Sequence, residues 1–387
     1  MNEDRYGTVA ESGETEILHT TTEQATDKKC PKCGGVMDFS PGSGKLCCPY
    51  CGHQEEIAVR DQHFVAKELD FNLAEDDAPA DWGTTKKTVH CQSCGAETIY
   101  DASQLSSECP YCGSNQVMPA ADQHVMSPGG VVPFRLDAKR AAELFKNWIG
   151  KKFFCPKLAK ESAEPKAFKG LYVPFWTFDT NTHSRYSGEY GIDRRVEDKD
   201  GKTHTETDWF RTRGEYHHRI DDMLVCASQK QEGGMIAGLE PFHTAEAVEY
   251  RPEYVAGFIA EKYTVKMKAA WEKAKQKIAS LLRGEVDGKI RAEHRADRTR
   301  NVQIQTNYAD ITYKYLLLPV WISSFRYNDK VYHFMVNGQT GKVSGNTPIS
   351  WIKVAIVALA VIAVVAAVFL LTHSDAEAAV MGLSALS

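Results

Sequence analysis

The feature that most constrains this chain is a four-cysteine pattern that occurs twice in its first third. In each copy, two Cys-x2-Cys pairs are separated by fourteen residues. This spacing lets two pairs of thiolates close on one ion, and it is typical of a tetrahedral four-thiolate zinc site. We therefore predict two structural zinc ions, held by two sets of cysteines: Cys30, Cys33, Cys48 and Cys51 in the first, and Cys91, Cys94, Cys109 and Cys112 in the second.

Each Cys-x2-Cys pair is followed by a glycine, which suits a tight turn because glycine accepts positive φ without strain. A shell closed by four sulfurs leaves no position for water or substrate, so the predicted ions are structural. Disulfides in a secreted protein are an alternative, which the lack of an apolar N-terminal signal segment disfavours. Iron–sulfur ligation is another, and the paired spacing fits zinc better. Cys47 could replace its neighbour Cys48, but only Cys48 makes the two-residue gap to Cys51.

An uninterrupted apolar run near the end of the sequence predicts a transmembrane helix over 351–371. Residues 354–371 carry no charge, glycine or proline, and a span needs about 20 apolar residues. A buried core helix is the alternative, which the lack of a polar face disfavours. Lys342 and Lys353 precede the run and no Lys or Arg follows it. The positive-inside rule therefore predicts a single-pass protein of the cell membrane, with the N-terminal bulk cytoplasmic and a short extracytoplasmic tail over 372–387.

Composition and patterning predict the remaining domains. Residues 1–29 are acidic and rich in threonine, which predicts a disordered N-terminus. The zinc ribbons occupy 30–52 and 91–113, with a linker over 53–90 between them. The segments 131–230 and 239–345 share one order of features, which is Pro-Phe, a helix and a Pro-x-Trp strand. This order indicates a duplicated α+β unit.

Strand and turn signals then give the fold class. Hairpin turns are predicted at 198–201 and at Asn337-Gly338, between runs rich in threonine, aromatic and β-branched residues. Antiparallel sheets with helices on one face are the natural assembly of such runs. The predicted fold class is a multidomain α+β protein with two N-terminal four-cysteine ribbons, a duplicated antiparallel-β/helix region and one C-terminal transmembrane helix.

Few features outside the ribbons indicate chemistry. The sequence contains neither His-Glu-x-x-His nor Gly-x-Ser-x-Gly, and we predict that it is not an enzyme. Asp221 and Asp222 beside His217 and His218 could bind a metal or act as acid and base, and a surface turn is the alternative. The predicted helix over about 261–283 has a basic face, which is either solvated or in contact with lipid, nucleic acid or an acidic partner. The net charge of −5 gives no general attraction to nucleic acid.

The pairs Cys30-Pro-x-Cys33-Gly and Cys48-Pro-x-Cys51-Gly occur together with three further blocks: Tyr172-Val-Pro-Phe-Trp-Thr-Phe-Asp179, Asp221-Asp-Met-Leu-Val225 and Asn337-Gly-Gln-Thr-Gly-Lys342. This set resembles a bacterial family of zinc-ribbon membrane proteins, over about residues 30–371. Members are often labelled transcription-factor-IIB-type zinc-ribbon proteins or relatives of the primosomal helicase. Some similar proteins are associated with phage-shock and envelope-stress genes. The resemblance therefore implies an adaptor at the inner face of the membrane.

The expected function is a membrane-anchored cytosolic adaptor or scaffold, with an envelope-stress role that the resemblance implies. Its ribbons would bind a protein partner at the cytoplasmic membrane face. The alternative is a membrane-tethered nucleic-acid-binding protein that uses the ribbons, although Lys32 and Lys45 are the only bases between the outer cysteines of either motif. A hydrolase or peptidase within 130–345 is a third reading.

Overall fold

The computed structural model describes residues 29–58, 66–73, 86–91, 97–101, 117–119, 128–157, 168–199, 201–229, 234–327 and 330–384. Of these, residues 73, 86–91, 97–101, 117–119, 325–327, 330–331 and 368–384 are described by their backbone alone. Apart from Lys29, the predicted disordered segment over 1–29 lies outside these ranges, and so do parts of the predicted linker over 53–90. The predicted domain boundaries stay predictions.

A small antiparallel sheet surrounds the first cysteine set. Its strands, in spatial order, are β1 (Asp38–Ser40), β2 (Lys45–Cys47) and β3 (Gln54–Glu55). The turn from β1 to β2 contains Gly44 at a φ of 68°, a left-handed conformation that glycine adopts without strain. We call residues 29–58 the first ribbon.

All other strands that the structure describes belong to one sheet of eleven strands. They are β4 (Leu69–Asp70), β5 (Lys86–Cys91), β6 (Glu97–Asp101), β7 (Val117–Pro119), β8 (Gly130–Val131), β9 (Lys169–Glu197), β10 (Thr203–Cys226), β11 (Ile259–Glu261), β12 (Arg298–Tyr327), β13 (Lys330–Asn337) and β14 (Val343–Gly345). The path through the sheet is β14-β13-β12-β9-β11-β6-β5-β7. In addition, β10 pairs with β9, and both β4 and β8 pair with β12.

Three long antiparallel strands, β10, β9 and β12, form the centre of the sheet. Ser184 of β9 lies opposite Tyr216 of β10 on one side and opposite Thr306 of β12 on the other. Exposure alternates along β10 between Thr212 and Arg219. Because successive side chains of a strand point to opposite faces, this alternation shows that one face is covered and the other is open to solvent.

In the described part of the chain, four helices accompany the sheet: α1 (Ala138–Gly150), α2 (Gly234–Ala237), α3 (Met267–His294) and α4 (Trp351–Ser384). Short 3-10 turns lie at Phe71–Leu73, Thr244–Glu246 and Pro252–Val255. The covered face of the three long strands packs against α3. This helix buries a stripe of residues at helical spacing, which stabilises the contact through apolar burial. The stripe consists of Ala270, Ala274, Ile278, Leu282, Val286 and Ile290.

The tryptophans of the two Pro-x-Trp motifs lie in the core of the large sheet. The indole nitrogen of Trp176 donates a hydrogen bond to the carbonyl oxygen of Val265 at 2.8 Å. The indole nitrogen of Trp321 donates to the carbonyl oxygen of Leu136, also at 2.8 Å. Each ring therefore contributes apolar burial while its only polar group is satisfied.

The predicted multidomain α+β fold class is wrong. The described residues are mostly β-strand, in a curled sheet with few helices. The prediction assigns residues 171–176 and 316–321 to separate halves of a duplication. In the structure they are parts of β9 and β12 and pair antiparallel with each other, with Phe175 opposite Leu316. Such pairing between distant strands leaves no signal in local periodicity, and this is why the sequence indicated separate α+β units.

The prediction of a transmembrane helix over 351–371 is also contradicted. Among the described residues, no helix combines the length and the apolar character that crossing a bilayer requires. The predicted single-pass localisation in the cell membrane, with a cytoplasmic bulk, is corrected with it.

Candidate metal centre

The first cysteine set converges on one point in the first ribbon. Sγ of Cys30 lies 3.4 Å from Sγ of Cys51, and Sγ of Cys33 lies 3.4 Å from Sγ of Cys48. All four sulfur atoms lie within 4.8 Å of one another. Sulfurs bound tetrahedrally to zinc at about 2.3 Å stand about 3.8 Å apart. The four cysteines are therefore close enough to bind one metal ion.

The backbone of each Cys-x2-Cys pair forms the turn that this convergence needs. Gly34 donates a backbone hydrogen bond to the carbonyl oxygen of Cys30 at 2.8 Å, and Gly52 donates to Cys48 at 3.0 Å. The φ angles of Gly34 and Gly52 are 73° and 71°. Both lie in the left-handed region, where a residue with a side chain is strained. The two halves of the site thus have the same local geometry.

The electrostatics of the four thiols fit a bound cation. A hydrogen bond from the backbone N–H of Cys51 lowers the pKa of Cys48 to about 7. The backbone N–H of Gly35 likewise lowers the pKa of Cys33. The contacts of Cys33 with the sulfurs of Cys48 and Cys51 outweigh this and raise its pKa to about 12. Neighbouring thiolates repel one another, and a cation removes this repulsion. The donor set therefore suits a divalent metal ion.

Cys48, and not its neighbour Cys47, belongs to the cluster. Sγ of Cys47 lies 3.6 Å from the hydroxyl oxygen of Ser43, on the turn between β1 and β2. Neighbouring side chains in a strand point to opposite faces, so only one of two adjacent cysteines can face the site. The second cysteine set falls outside the described residues at Cys94, Cys109 and Cys112, and Cys91 is described by its backbone alone. A second ion stays a prediction.

The first ribbon is packed against the body of the protein. Phe39 of β1 contacts the rings of Tyr254 and Phe258, with centroids 5.7 and 6.3 Å apart. Its backbone N–H donates to the carbonyl oxygen of Ala256 at 3.1 Å. At Gly257, a Cβ atom would lie 2.9 Å from the carboxyl carbon of Asp38. The ribbon is therefore held by a buried aromatic contact and a close backbone approach.

The opposite side of the first ribbon faces solvent. Cys33 and Cys51 are exposed, and Val36 beside them is 37% exposed. Tyr50, which lies between Cys48 and Cys51 in sequence, is 80% exposed. We call each Cys-x2-Cys turn a knuckle. The Tyr50 ring touches the first knuckle, which carries Cys30 and Cys33, since a Cβ atom at Gly35 would lie 2.6 Å from this ring. An aromatic side chain thus bridges the two knuckles on the outside of the metal site.

A buried charge cluster was not predicted from the sequence. Lys314 of β12 lies 2.7 Å from Asp222, 3.3 Å from Asp179 and 3.5 Å from Glu68. Burial raises the pKa of Asp179 to about 6, although the charge of Lys314 opposes this shift. The sequence places Asp222 near His217, but the ion pair of Asp222 is with Lys314. The available signal was that Lys314 is the only charged residue within the apolar and aromatic segment 313–322 of β12.

Fold and metal centre together define a mostly β protein whose body carries a metal-binding four-cysteine ribbon. No family model matches the chain, and no solved structure matches it significantly. The chain is 30% identical over 327 residues to the uncharacterized protein YdjG of Bacillus subtilis (strain 168), a match that covers 84% of this chain and 91% of YdjG. The chain therefore belongs to the same family as YdjG.

A shorter likeness involves a different protein. The chain is 35% identical over 68 residues to transcription factor S of Methanothermococcus thermolithotrophicus. This match covers 17% of the chain and 63% of that protein. The resemblance to a zinc-ribbon membrane family with a primosomal-helicase label stays a prediction.

Proposed function

We propose that this protein is a non-enzymatic adaptor that binds a protein partner through the outer side of its zinc-loaded first ribbon. The supporting observation is the asymmetry of the ribbon. One side is buried on the body through Phe39, while the other presents Tyr50 beside Cys33 and Cys51. Exposed aromatic residues on a rigid support are typical of protein interfaces, because they bury much area at little entropic cost.

Zinc has a structural part in this proposal. Four thiolates fill a tetrahedral shell, so the ion offers no position for substrate. It holds the two knuckles at a set distance, and the Tyr50 ring rests across both of them. Loss of the ion would therefore disorder the binding surface without changing the large sheet. The envelope-stress role that the resemblance implies stays a prediction.

Replacing Tyr50 with alanine tests the proposed surface. Full-length protein is used as bait after nuclease treatment, and bound proteins are identified by mass spectrometry. A specific partner should be retained by the wild type and lost with Tyr50→Ala and with Cys30→Ser. Phe210→Ala is the matched control, because Phe210 is a 46% exposed aromatic residue of β10 outside the ribbon. A partner that binds equally to the Tyr50→Ala and Cys30→Ser variants would remove the first ribbon from the mechanism.

The second candidate function is binding of nucleic acid by the first ribbon. The observation that favours it is the 68-residue likeness to a protein named transcription factor S. Against it, the ribbon has few bases, and one of them, Lys45, is paired with Glu56 at 3.0 Å. Contacts with phosphate predict an affinity that falls with salt, by a logarithmic slope of about −0.9 per neutralised phosphate of duplex DNA. Titration of labelled DNA and RNA at two salt concentrations separates the two functions.

A further inference from the structure

A second group of metal-ligating side chains lies on the open face of the large sheet. It contains His183 of β9 together with Glu215 and His217 of β10, and their ligating atoms lie within 4.8 Å of one another. His217 stands directly opposite His183 in the strand pairing. Glu215 precedes His217 by two residues, so its side chain points to the same face. The register of two long strands thus brings three ligands together.

The distances within this group match a metal shell. Nε2 of His183 lies 3.4 Å from Oε2 of Glu215. Ligands bound tetrahedrally to zinc at about 2.0 to 2.1 Å stand about 3.4 Å apart. The imidazole rings of His183 and His217 are stacked, with centroids 4.3 Å apart and an angle of 2° between the planes. Small rotations of the two rings would turn both ring nitrogens toward one ion.

Among the described residues, the polar partner of His183 Nε2 is the carboxylate of Glu215, 3.4 Å away. This nitrogen is shielded from solvent, yet it has no well-aligned hydrogen bond to any described residue. Buried polar atoms without a well-aligned hydrogen bond are rare in folded proteins, and a bound ion is one of their ordinary causes. An ion bound between His183 and Glu215 would satisfy this nitrogen.

A neighbouring arginine orients the carboxylate of Glu215. Nε of Arg185 lies 3.2 Å from Oε1 of Glu215, while Oε2 of the same carboxylate faces His183. Arg185 therefore holds one oxygen and leaves the other for a ligand. Partners of this kind, which fix the direction of a ligating group, are a regular part of protein metal sites.

We propose that His183, His217 and Glu215 bind a divalent transition-metal ion, and that zinc is the ion they suit best. Two imidazole nitrogens and one carboxylate oxygen are a donor set that zinc accepts. Three protein ligands leave a fourth position, which a water molecule takes because the face is open to solvent. This site differs from the closed four-thiolate site, and it does not depend on the proposed adaptor function.

Cobalt(II) binding to the full-length protein tests the proposal. Cobalt reports the two kinds of site separately, because thiolate-to-metal charge transfer arises only where sulfur is a ligand. With the thiolate sites filled, the wild type should bind one further ion that produces no thiolate band. His217→Gln and His183→Gln should each lose this ion and keep the thiolate bands unchanged. Circular dichroism of both variants checks that the sheet is intact.

His204→Gln is the matched control for this experiment. His204 lies on β10 with Nε2 3.5 Å from Glu206, but no second histidine faces it. It should therefore leave the number of bound ions unchanged. Arg185→Gln should lower the affinity for the further ion by about tenfold, as loss of an orienting partner does. The proposal is overturned if the wild type binds no ion beyond the thiolate sites, or if His204→Gln removes the further ion as well as His217→Gln does.

Discussion

The ammonium nitrogen of Lys314 lies 2.7 Å from Oδ1 of Asp222, and this ion pair joins β12 to β10 across the intervening strand β9. Lys314 is 8% exposed. Asp222 has a φ of 49°, at an irregularity in the pairing of β10 with β9. Its backbone N–H donates to Oδ1 of Asp179 at 2.6 Å. A strained backbone, a buried lysine and two carboxylates thus stabilise one another at the centre of the sheet.

Replacing Lys314 with methionine should lower the free energy of unfolding by about 3 kcal/mol. Removing one partner from a buried ion pair leaves the other charge without compensation, which costs about 3–5 kcal/mol. Urea denaturation followed by tryptophan fluorescence measures the change. Adding Asp222→Asn and Asp179→Asn to Lys314→Met removes the orphaned charges and should recover part of the loss. Unchanged stability in the single variant would mean that the cluster does not stabilise the sheet.

The raised pKa of Asp179 predicts that the protein loses stability as pH rises. The folded pKa of Asp179 is about 6, against about 3.9 for an aspartate in an unfolded chain. Between these values the folded protein keeps a proton that the unfolded chain has released, so the free energy of unfolding falls as pH rises through this window. The pKa of Glu68 is lowered. The stability that Glu68 contributes is therefore lost only as pH falls below about 4.3. Denaturation at several pH values should show the decline in the wild type and not in Asp179→Asn.

Cys48→Ser and Cys47→Ser should differ in metal content. Cys48 belongs to the sulfur cluster, whereas the thiol of Cys47 contacts Ser43. Cys48→Ser should therefore lose one metal ion per chain, and Cys47→Ser none. Elemental analysis of the purified variants measures this directly. Equal metal content in the two variants would show that Cys47 replaces Cys48 as a ligand.

Gly257→Ala should release the first ribbon from the body. The added Cβ would lie 2.9 Å from Asp38, at a φ of 79° that alanine adopts only with strain. Gly44→Ala is the matched control, because Gly44 has a φ of 68° and nothing within 4 Å of the added atom. Both variants carry the backbone strain, and only Gly257→Ala carries the steric clash. Amide hydrogen exchange of Phe39 should accelerate in Gly257→Ala well beyond its rate in Gly44→Ala.

The sequence alone predicted the part of the candidate site that is local. Cys30 and Cys33 lie on one turn, and a glycine follows them, so their spacing indicates a knuckle without reference to the rest of the chain. The pairing of that knuckle with Cys48 and Cys51 was predicted by the same spacing rule, and their sulfurs do converge. The zinc assignment and the second site stay predictions.

Predictions from the sequence were wrong where one segment was interpreted without the segments it pairs with. The helix and strand signals of 131–230 and 239–345 predicted two α+β units, because each segment repeats the same order of motifs. The strands are instead 24 to 30 residues long and pair with each other. The apolar run over 351–371 likewise predicted a transmembrane helix, which the described helices do not support.

What the sequence determined about this protein is its local chemistry. It determined a four-thiolate cluster with glycine turns, and two Pro-x-Trp strands whose tryptophan rings are buried. Only the tertiary structure decided which distant residues meet. The pairing of β9 with β10 and β12 sets Lys314 beside Asp179 and Asp222, and it sets His183 opposite His217. The physical reason is that strand register depends on the burial of a whole face at once, and a shift of one residue would send each of these side chains to the other face.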